Sequence, residues 1–283
     1  MFDKTVHDAF KSHAISVYPQ EACGFVVGNK IDEDRIDSKS SAINRRYMNI
    51  RYISCTNIAQ NPETNFEIDP IHYVEVQERH TLLAVLHSHI SVKREDGTYE
   101  EASDYPSALD MRSQQASDVP WGIGVCREDF CTDPAYFGDM LPIPDLIGRP
   151  FRHGVTDCFS LVRDCYRLGK EGMKNQDVPD WPYEAFTIKD MPRDFEWWKH
   201  GENHYIDNFV ACGFIPIPQE EARIGDGFLM SIYSPVPNHG GVYLGDGLGL
   251  HHLQWQVSRR ESLHLWQRKI THWLRFIGEP NAA

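Results

Sequence analysis

Phe2, Val6, Ala9, Phe10, His13 and Val17 recur at helical spacing before Pro19, which predicts a helix over residues 2 to 17. A short apolar run from Cys23 to Gly28 predicts a strand, and Leu82 to Leu86 predicts a buried strand leading into His87. Residues 106 to 116 read as a helix with Pro106 in its first turn, and Gly122 to Cys126 as another strand. Between about 134 and 150, Pro134, Pro142, Pro144 and Pro150, with Gly138 and Gly148, interrupt every period, so a domain boundary is expected there. Beyond it, Thr156-Asp157 signals the N-cap of a helix running through Leu168. A Trp- and Pro-rich segment follows, then short strands from Phe228 onward. A helix ahead of antiparallel strands is an α+β order, and the whole chain reads as an α+β protein of two domains, 1–137 and 138–283.

Composition narrows the function classes. The 283 residues suffice for two separate cores, and 41% hydrophobic content is ordinary globular usage. A formal net charge of -13 argues against nucleic acid as a partner, because phosphate backbones demand clustered Lys and Arg. No stretch approaches the ~18 apolar residues of a membrane span, and Met1-Phe2-Asp3-Lys4 has neither the basic nor the apolar region of a signal peptide. The expectation is a chain made in the cytoplasm without an export signal. Seven irregularly spaced cysteines do not form a disulfide framework, so reduced thiols are expected. Cys23, Cys55, Cys126, Cys131, Cys165 and Cys212 read as small buried hydrophobes. Only the extreme C-terminus suggests disorder.

The chemistry in the second half centres on Cys158. It lies at the expected helix start, where unpaired N–H groups favour a thiolate, and Leu161, Val162 and Cys165 share its apolar face. His239 to Leu244 and Leu248 to Leu253 read as a hairpin around Gly245-Asp246-Gly247. A three-residue loop at 245 to 247 would pair His251 with Gly241 and place His239 diagonally within reach of His251. A two-residue loop at 246 and 247 would put the histidines on opposite faces, and only the first register gives a relay. His252 should face away, in a structural role.

The runs Asp157-Cys158-Phe159-Ser160-Leu161-Val162-Arg163-Asp164, Gly225-Asp226-Gly227-Phe228-Leu229, Asn238-His239-Gly240-Gly241-Val242-Tyr243-Leu244-Gly245 and Leu250-His251-His252 resemble the NlpC/P60 family of papain-like cysteine peptidases. The resemblance implies Cys158 as nucleophile, His239 as base, His251 as the polar third member, and the peptide stems of bacterial peptidoglycan as substrate. The bland alternative for Cys158 is a core cysteine.

In the first half, His87 and His89 at i and i+2 on a strand point to one face and could share a metal. Ser107 and Asp110 fall on one face of the downstream helix, and Asp110 could complete a His, His, Asp set that leaves a fourth zinc position for water. Glu21, ahead of the first strand, is a candidate base. Two surface histidines flanking a serine also occur by chance. Pro19-Gln20-Glu21-Ala22-Cys23-Gly24, His87-Ser88-His89 and Ser107-Ala108-Leu109-Asp110 together resemble the JAMM signature of the Mov34/MPN metallopeptidases, whose fold is α/β. The resemblance implies catalytic Glu21, zinc ligands His87, His89 and Asp110, and oxyanion-stabilising Ser107. The chain departs from the pattern in its longer spacing from His89 to Ser107 and in Ile90, where proline is common. The acidic insert from Ser91 to Tyr105 reads as a loop.

A JAMM half followed by an NlpC/P60 half resembles tail-tip proteins of lambda-like bacteriophages. That pairing implies a virion component at the tail tip, with other tail-tip proteins and host peptidoglycan as partners and wall cutting during entry as its task. The metal half would then process another tail protein. The competing reading is an assembly or structural piece with one or both centres vestigial. For Trp181, Trp197 and Trp198, packing is expected over a substrate groove.

Overall fold

The computed structural model describes residues 1–31 and 46–278, so the extreme C-terminus expected to be disordered lies outside the described residues. The chain is α+β and divides into two compact units, Met1–Asp104 with Ser113–Leu141, and Tyr105–Arg112 with Pro142–Ala283.

The first unit opens with α1 (Lys4–Val17), capped by the Asp3 side chain, which accepts from the Thr5 and Val6 N–H groups. Val6, Phe10 and Ala14 form its buried stripe; Ala9, expected inside, is exposed because the true period runs 6, 10, 14. Five strands follow in the spatial order β2-β1-β3-β6-β7: β1 (Cys23–Lys30), β2 (Tyr47–Cys55), β3 (Thr81–Ile90), β6 (Trp121–Cys126) and β7 (Ala135–Phe137). Helix α2 (Pro70–Arg79), which the sequence pattern did not signal, precedes β3. β3 runs past the apolar segment, so His87 and His89 are strand residues. The insert is not wholly loop, since β4 (Val92–Lys93) and β5 (Tyr99–Glu100) pair as a small hairpin. The thiols of Cys126 and Cys131 are joined in a disulfide, contrary to the reduced-thiol expectation: β6 ends at Cys126 and the chain turns back to pair Cys131 against it. Helix α3 (Ala108–Ser117), whose residues up to Arg112 are counted with the second unit, starts two residues later than the pattern suggested, leaving Pro106 outside it.

The second unit packs α4 (Cys158–Lys174) against a six-stranded antiparallel sheet in the order β12-β11-β10-β9-β13-β8. Its strands are β8 (Phe214–Ile217), β9 (Gly227–Met230), β10 (His239–Gly245), β11 (Leu248–His251), β12 (Arg259–Ser262) and β13 (Ile270–Phe276), with a short α5 (His204–Asn208) before them. Leu161, Cys165 and Tyr166 of α4 meet Leu229, Val242, Leu250 and Leu274 in the main core. Trp181 and Trp197 are buried in that core and Trp198 packs against it. Phe228, Met230, Leu263 and Trp273 close the opposite side of the sheet. A sheet covered on both faces holds its central strands rigidly, and β10 and β11 are among them.

Candidate active site and metal centre

Asp157 caps α4: its Oδ1 accepts the Ser160 N–H at 2.9 Å, which sets Cys158 as the first helical residue. The buried Asp157 also binds Arg193 at 2.6 Å and accepts the Gly154 N–H at 2.8 Å. Burial alone would raise its carboxyl; the Arg193 and His153 charges and these bonds outweigh it and hold Asp157 well below the usual carboxylate range. The helix start is thereby pinned by an ionised, doubly anchored residue.

The hairpin between β10 and β11 turns through Asp246-Gly247, both at positive φ (49° and 73°), the signature of a tight two-residue turn. That loop length was expected to separate the histidines. It does not, because a bulge between Tyr243 and Gly245 absorbs one residue and restores the pairing of Gly241 with His251. His239 thus lies diagonal to His251 on one face, and the two rings meet at 2.9 Å between Nε2 of His239 and Nδ1 of His251. The diagonal continues onto β12. Glu261 stands opposite Gly249, and its Oε1 meets His251 Nε2 at 2.6 Å. In both steps the residue directly opposite is a glycine, Gly241 or Gly249, so no side chain obstructs the diagonal contact.

Cys158 and His239 line one cleft of about 580 Å³, together with Tyr205, Asn238 and Arg193. Its rim is aromatic, with Phe195 and the exposed Tyr233 and Trp255. Cys158 Sγ lies 3.2 Å from the Tyr205 hydroxyl. Burial, with the neighbouring Asp157 charge, pushes the Cys158 thiol up to about 11, although the residue keeps a partly exposed face on the cleft; the Tyr205 hydroxyl and the Gly240 N–H pull the other way. The helix-start argument for a standing thiolate is therefore outweighed by desolvation. Burial, then the facing His251 and His252, hold His239 well below the usual histidine value, and burial also lowers His251. At rest the cleft holds a neutral thiol and a neutral imidazole. His252 binds the Gln256 carbonyl at 3.0 Å, consistent with a structural role.

Sequence reasoning missed Glu261, Tyr205 and Arg193. Alternation along Arg259-Arg260-Glu261 could have flagged Glu261 as sharing a face with Arg259 on a next strand. Arg193 lies in an irregular segment between α4 and the sheet, and Tyr205 in α5, which at five residues is too short to show a period.

In the first half, the Ser88 N–H donates to the Ala22 carbonyl at 2.9 Å, and the Ala22 N–H donates to Ser88 Oγ at 2.8 Å. Cys23 pairs with His87, so the same register carried two residues further would set the buried Glu21 opposite His89. Phe66 stacks on the His87 ring at 4.5 Å. His89 Nδ1 meets the Ser103 carbonyl at 2.7 Å, which makes Nδ1 the donor and turns Nε2 toward His87 Nε2, 3.2 Å away. Asp110, in the first turn of α3, forms a reciprocal cap with Ser107: the Asp110 N–H donates to Ser107 Oγ at 3.1 Å, and the Ser107 N–H and hydroxyl donate to Asp110 Oδ2 at 2.8 and 2.7 Å. Ligand atoms of His87, His89 and Asp110 all lie within 4.8 Å of one another. Two imidazoles and a carboxylate are donors of the kind that zinc takes.

A model of the NlpC/P60 family matches residues 148–275. The chain is 34% identical over 206 residues to tail tip assembly protein K of Escherichia phage lambda, covering 72% of this chain and 86% of that protein. It is 28% identical over 287 aligned residues to tail tip assembly protein K of Escherichia phage N15, covering 98% of this chain and 96% of that protein. Among solved structures, the solution structure of protein DSY2949 from Desulfitobacterium hafniense aligns with 48% of this chain and 80% of its own at 21% identity, with a TM-score of 0.30.

Proposed function

Because the chain belongs to the tail tip assembly protein K family and carries an NlpC/P60 domain in its second half, we propose that it is a virion tail-tip peptidase whose cysteine centre hydrolyses peptidoglycan stem peptides during host entry. The observation that carries the reading is the polar line His239, His251, Glu261 ending at the cleft that holds Cys158. A thiol without a base in a cleft would be a packing residue. A thiol sharing its cleft with an oriented imidazole can be deprotonated as it attacks.

In this mechanism Cys158 Sγ attacks a stem-peptide carbonyl carbon while the thiol proton passes to His239 Nδ1. The oxyanion is met by N–H groups at the start of α4 ahead of Ser160, whose own N–H is committed to Asp157. The Tyr205 hydroxyl stands beside the sulfur for the same charge. The C–N bond then breaks, His239 returns the proton to the leaving amine, and a thioester remains. Water attacks it, His239 again takes the proton, and the thiol is restored as the acid departs. The exposed aromatic rim gives a substrate attached to a glycan room to approach.

The first half is proposed as a JAMM-type metallopeptidase domain spanning residues 1–137, ahead of the cysteine peptidase domain at 138–283. His87, His89 and Asp110 would hold a zinc ion, which when bound supplies a Lewis acid and lowers the pKa of its water. Glu21 would take that proton, Ser107 would stabilise the oxyanion, and another tail protein is the proposed substrate.

The cysteine reading is tested by digesting purified peptidoglycan with the chain and with Cys158→Ala, the fold of the variant checked by circular dichroism; hydrolysis is expected to vanish. Hydrolysis retained by the variant refutes the thiol mechanism. For the metal half, one zinc per chain is expected by elemental analysis and should be lost in the His87→Ala, His89→Ala double variant. Zinc retained by the double variant removes this site.

A further inference from the structure

We propose that Glu261 is a positioning residue of the thiol centre, one that decides which nitrogen of each histidine carries the proton; the inference rests on reading this centre as a cysteine peptidase. An ionised carboxylate only accepts hydrogen bonds, so the 2.6 Å contact between Glu261 Oε1 and His251 Nε2 requires the proton on Nε2. A neutral His251 then offers only a lone pair at Nδ1. The 2.9 Å contact at that atom makes His239 Nε2 the donor. His239 Nδ1 is left unprotonated, which is the form a base needs.

Without Glu261 the order is not imposed. His251 could carry its proton on Nδ1 and donate to His239 Nε2, which would move the His239 proton to Nδ1 and remove the base. Other groups facing the pair do not substitute. His252 is committed to the Gln256 carbonyl, and Asp157 is bound to Arg193. Glu261 is itself held in place: Trp266 Nε1–H donates to Oε1 at 2.8 Å and Arg259 Nε lies 3.3 Å from Oε2. Burial alone would raise its carboxyl, but the Trp266 and His251 bonds and the Arg259 charge outweigh it, so the group stays ionised.

The geometry explains why the acid comes from this strand. His239, His251 and Glu261 occupy β10, β11 and β12 at successive two-residue offsets, so one face of the sheet carries the whole line. Glu261 never touches Cys158, and its effect reaches the sulfur through two rings.

The test uses the full chain labelled with 15N-histidine, in wild-type, Glu261→Ala and Glu261→Gln forms, at a pH where the histidines are neutral. Wild-type protein should show Nδ1 unprotonated in both His239 and His251. Glu261→Ala should mix or reverse these tautomers and lower kcat on a stem peptide by about a hundredfold, with KM little changed, the low end of what a positioned base contributes. Glu261→Gln keeps an oxygen acceptor and should restore the tautomers and most of kcat, which a merely misfolded alanine variant would not predict. A folded Glu261→Ala that keeps both tautomers and kcat overturns the inference. The tautomer signals need no substrate, so a tautomer shift in a chain that cuts no peptide would support the positioning role and sink only the peptidase reading.

Discussion

At the scale of single residues, Cys158 is pulled in opposite directions by the helix start and by its surroundings. The N-terminal N–H groups of α4 favour a thiolate, while burial and Asp157 raise the thiol to about 11. Desolvation wins, so the thiolate fraction near pH 7 is on the order of 10⁻⁴, and in the proposed mechanism proton transfer to His239 accompanies attack. Alkylation of Cys158 by iodoacetamide is therefore expected to accelerate about tenfold per pH unit between pH 7 and 10. A rate independent of pH over that range would show a preformed thiolate instead. His239 lies well below the usual histidine value, so the acidic limb of peptide hydrolysis is expected below pH 6.5, the value of a free imidazole. Residue types were the most legible part of the site. Cys158, His239 and His251 announce themselves because a thiol at a helix start and two histidines on one hairpin are chemically loaded placements. Glu261 did not stand out, since an acidic residue beside arginines is what any solvated strand carries, and only its place across from Gly249 gives it a role.

At the scale of elements, the hairpin decides whether the centre works, and there the sequence was ambiguous. Asp246-Gly247 specifies a tight turn, yet a tight turn without a bulge would pair His251 with Val242 and put the two rings on opposite faces. The bulge at Leu244 corrects the register, and its local mark is a single glycine, Gly245, at φ 89°. Gly241 is the second requirement. A Cβ there would fall 2.7 Å from the Leu250 carbonyl oxygen and 2.8 Å from His251 Cβ, so backbone would have to move. Gly241→Ala is expected to cost about 1–3 kcal/mol in urea unfolding, the usual range for overpacking, and to abolish hydrolysis by spreading the strands. The control is Gly278→Ala, where a Cβ meets nothing within 4 Å and neither quantity should change. Wild-type activity in Gly241→Ala would mean the close register is not needed. The helices were easier to read than the bulge: α1 and α4 follow their periods and caps, whereas β2, α2 and the β4–β5 hairpin escaped because most of their positions stay exposed or half-buried and show no clean period.

At the scale of the whole molecule, the α+β class was legible in the order of periodic segments, and the second half in four short motifs spread from Asp157 to His252. The stretch carrying Arg193 and the five-residue α5 with Tyr205 was opaque, because its residues are placed by tertiary packing and not by any repeat of their own. The Cys126–Cys131 bond was equally hidden, since cysteine counting speaks to frameworks and not to a single short loop. What ties the chain's parts to one task is the claim that its cysteine centre cuts the peptide of the bacterial wall. The direct measurement is mass spectrometry of the products released from purified peptidoglycan by the full chain and by Cys158→Ala. The account predicts stems shortened by whole amino acids on intact glycan with the wild-type chain and none with the variant. Intact stems from the wild-type chain, or the same fragments from Cys158→Ala, would contradict it.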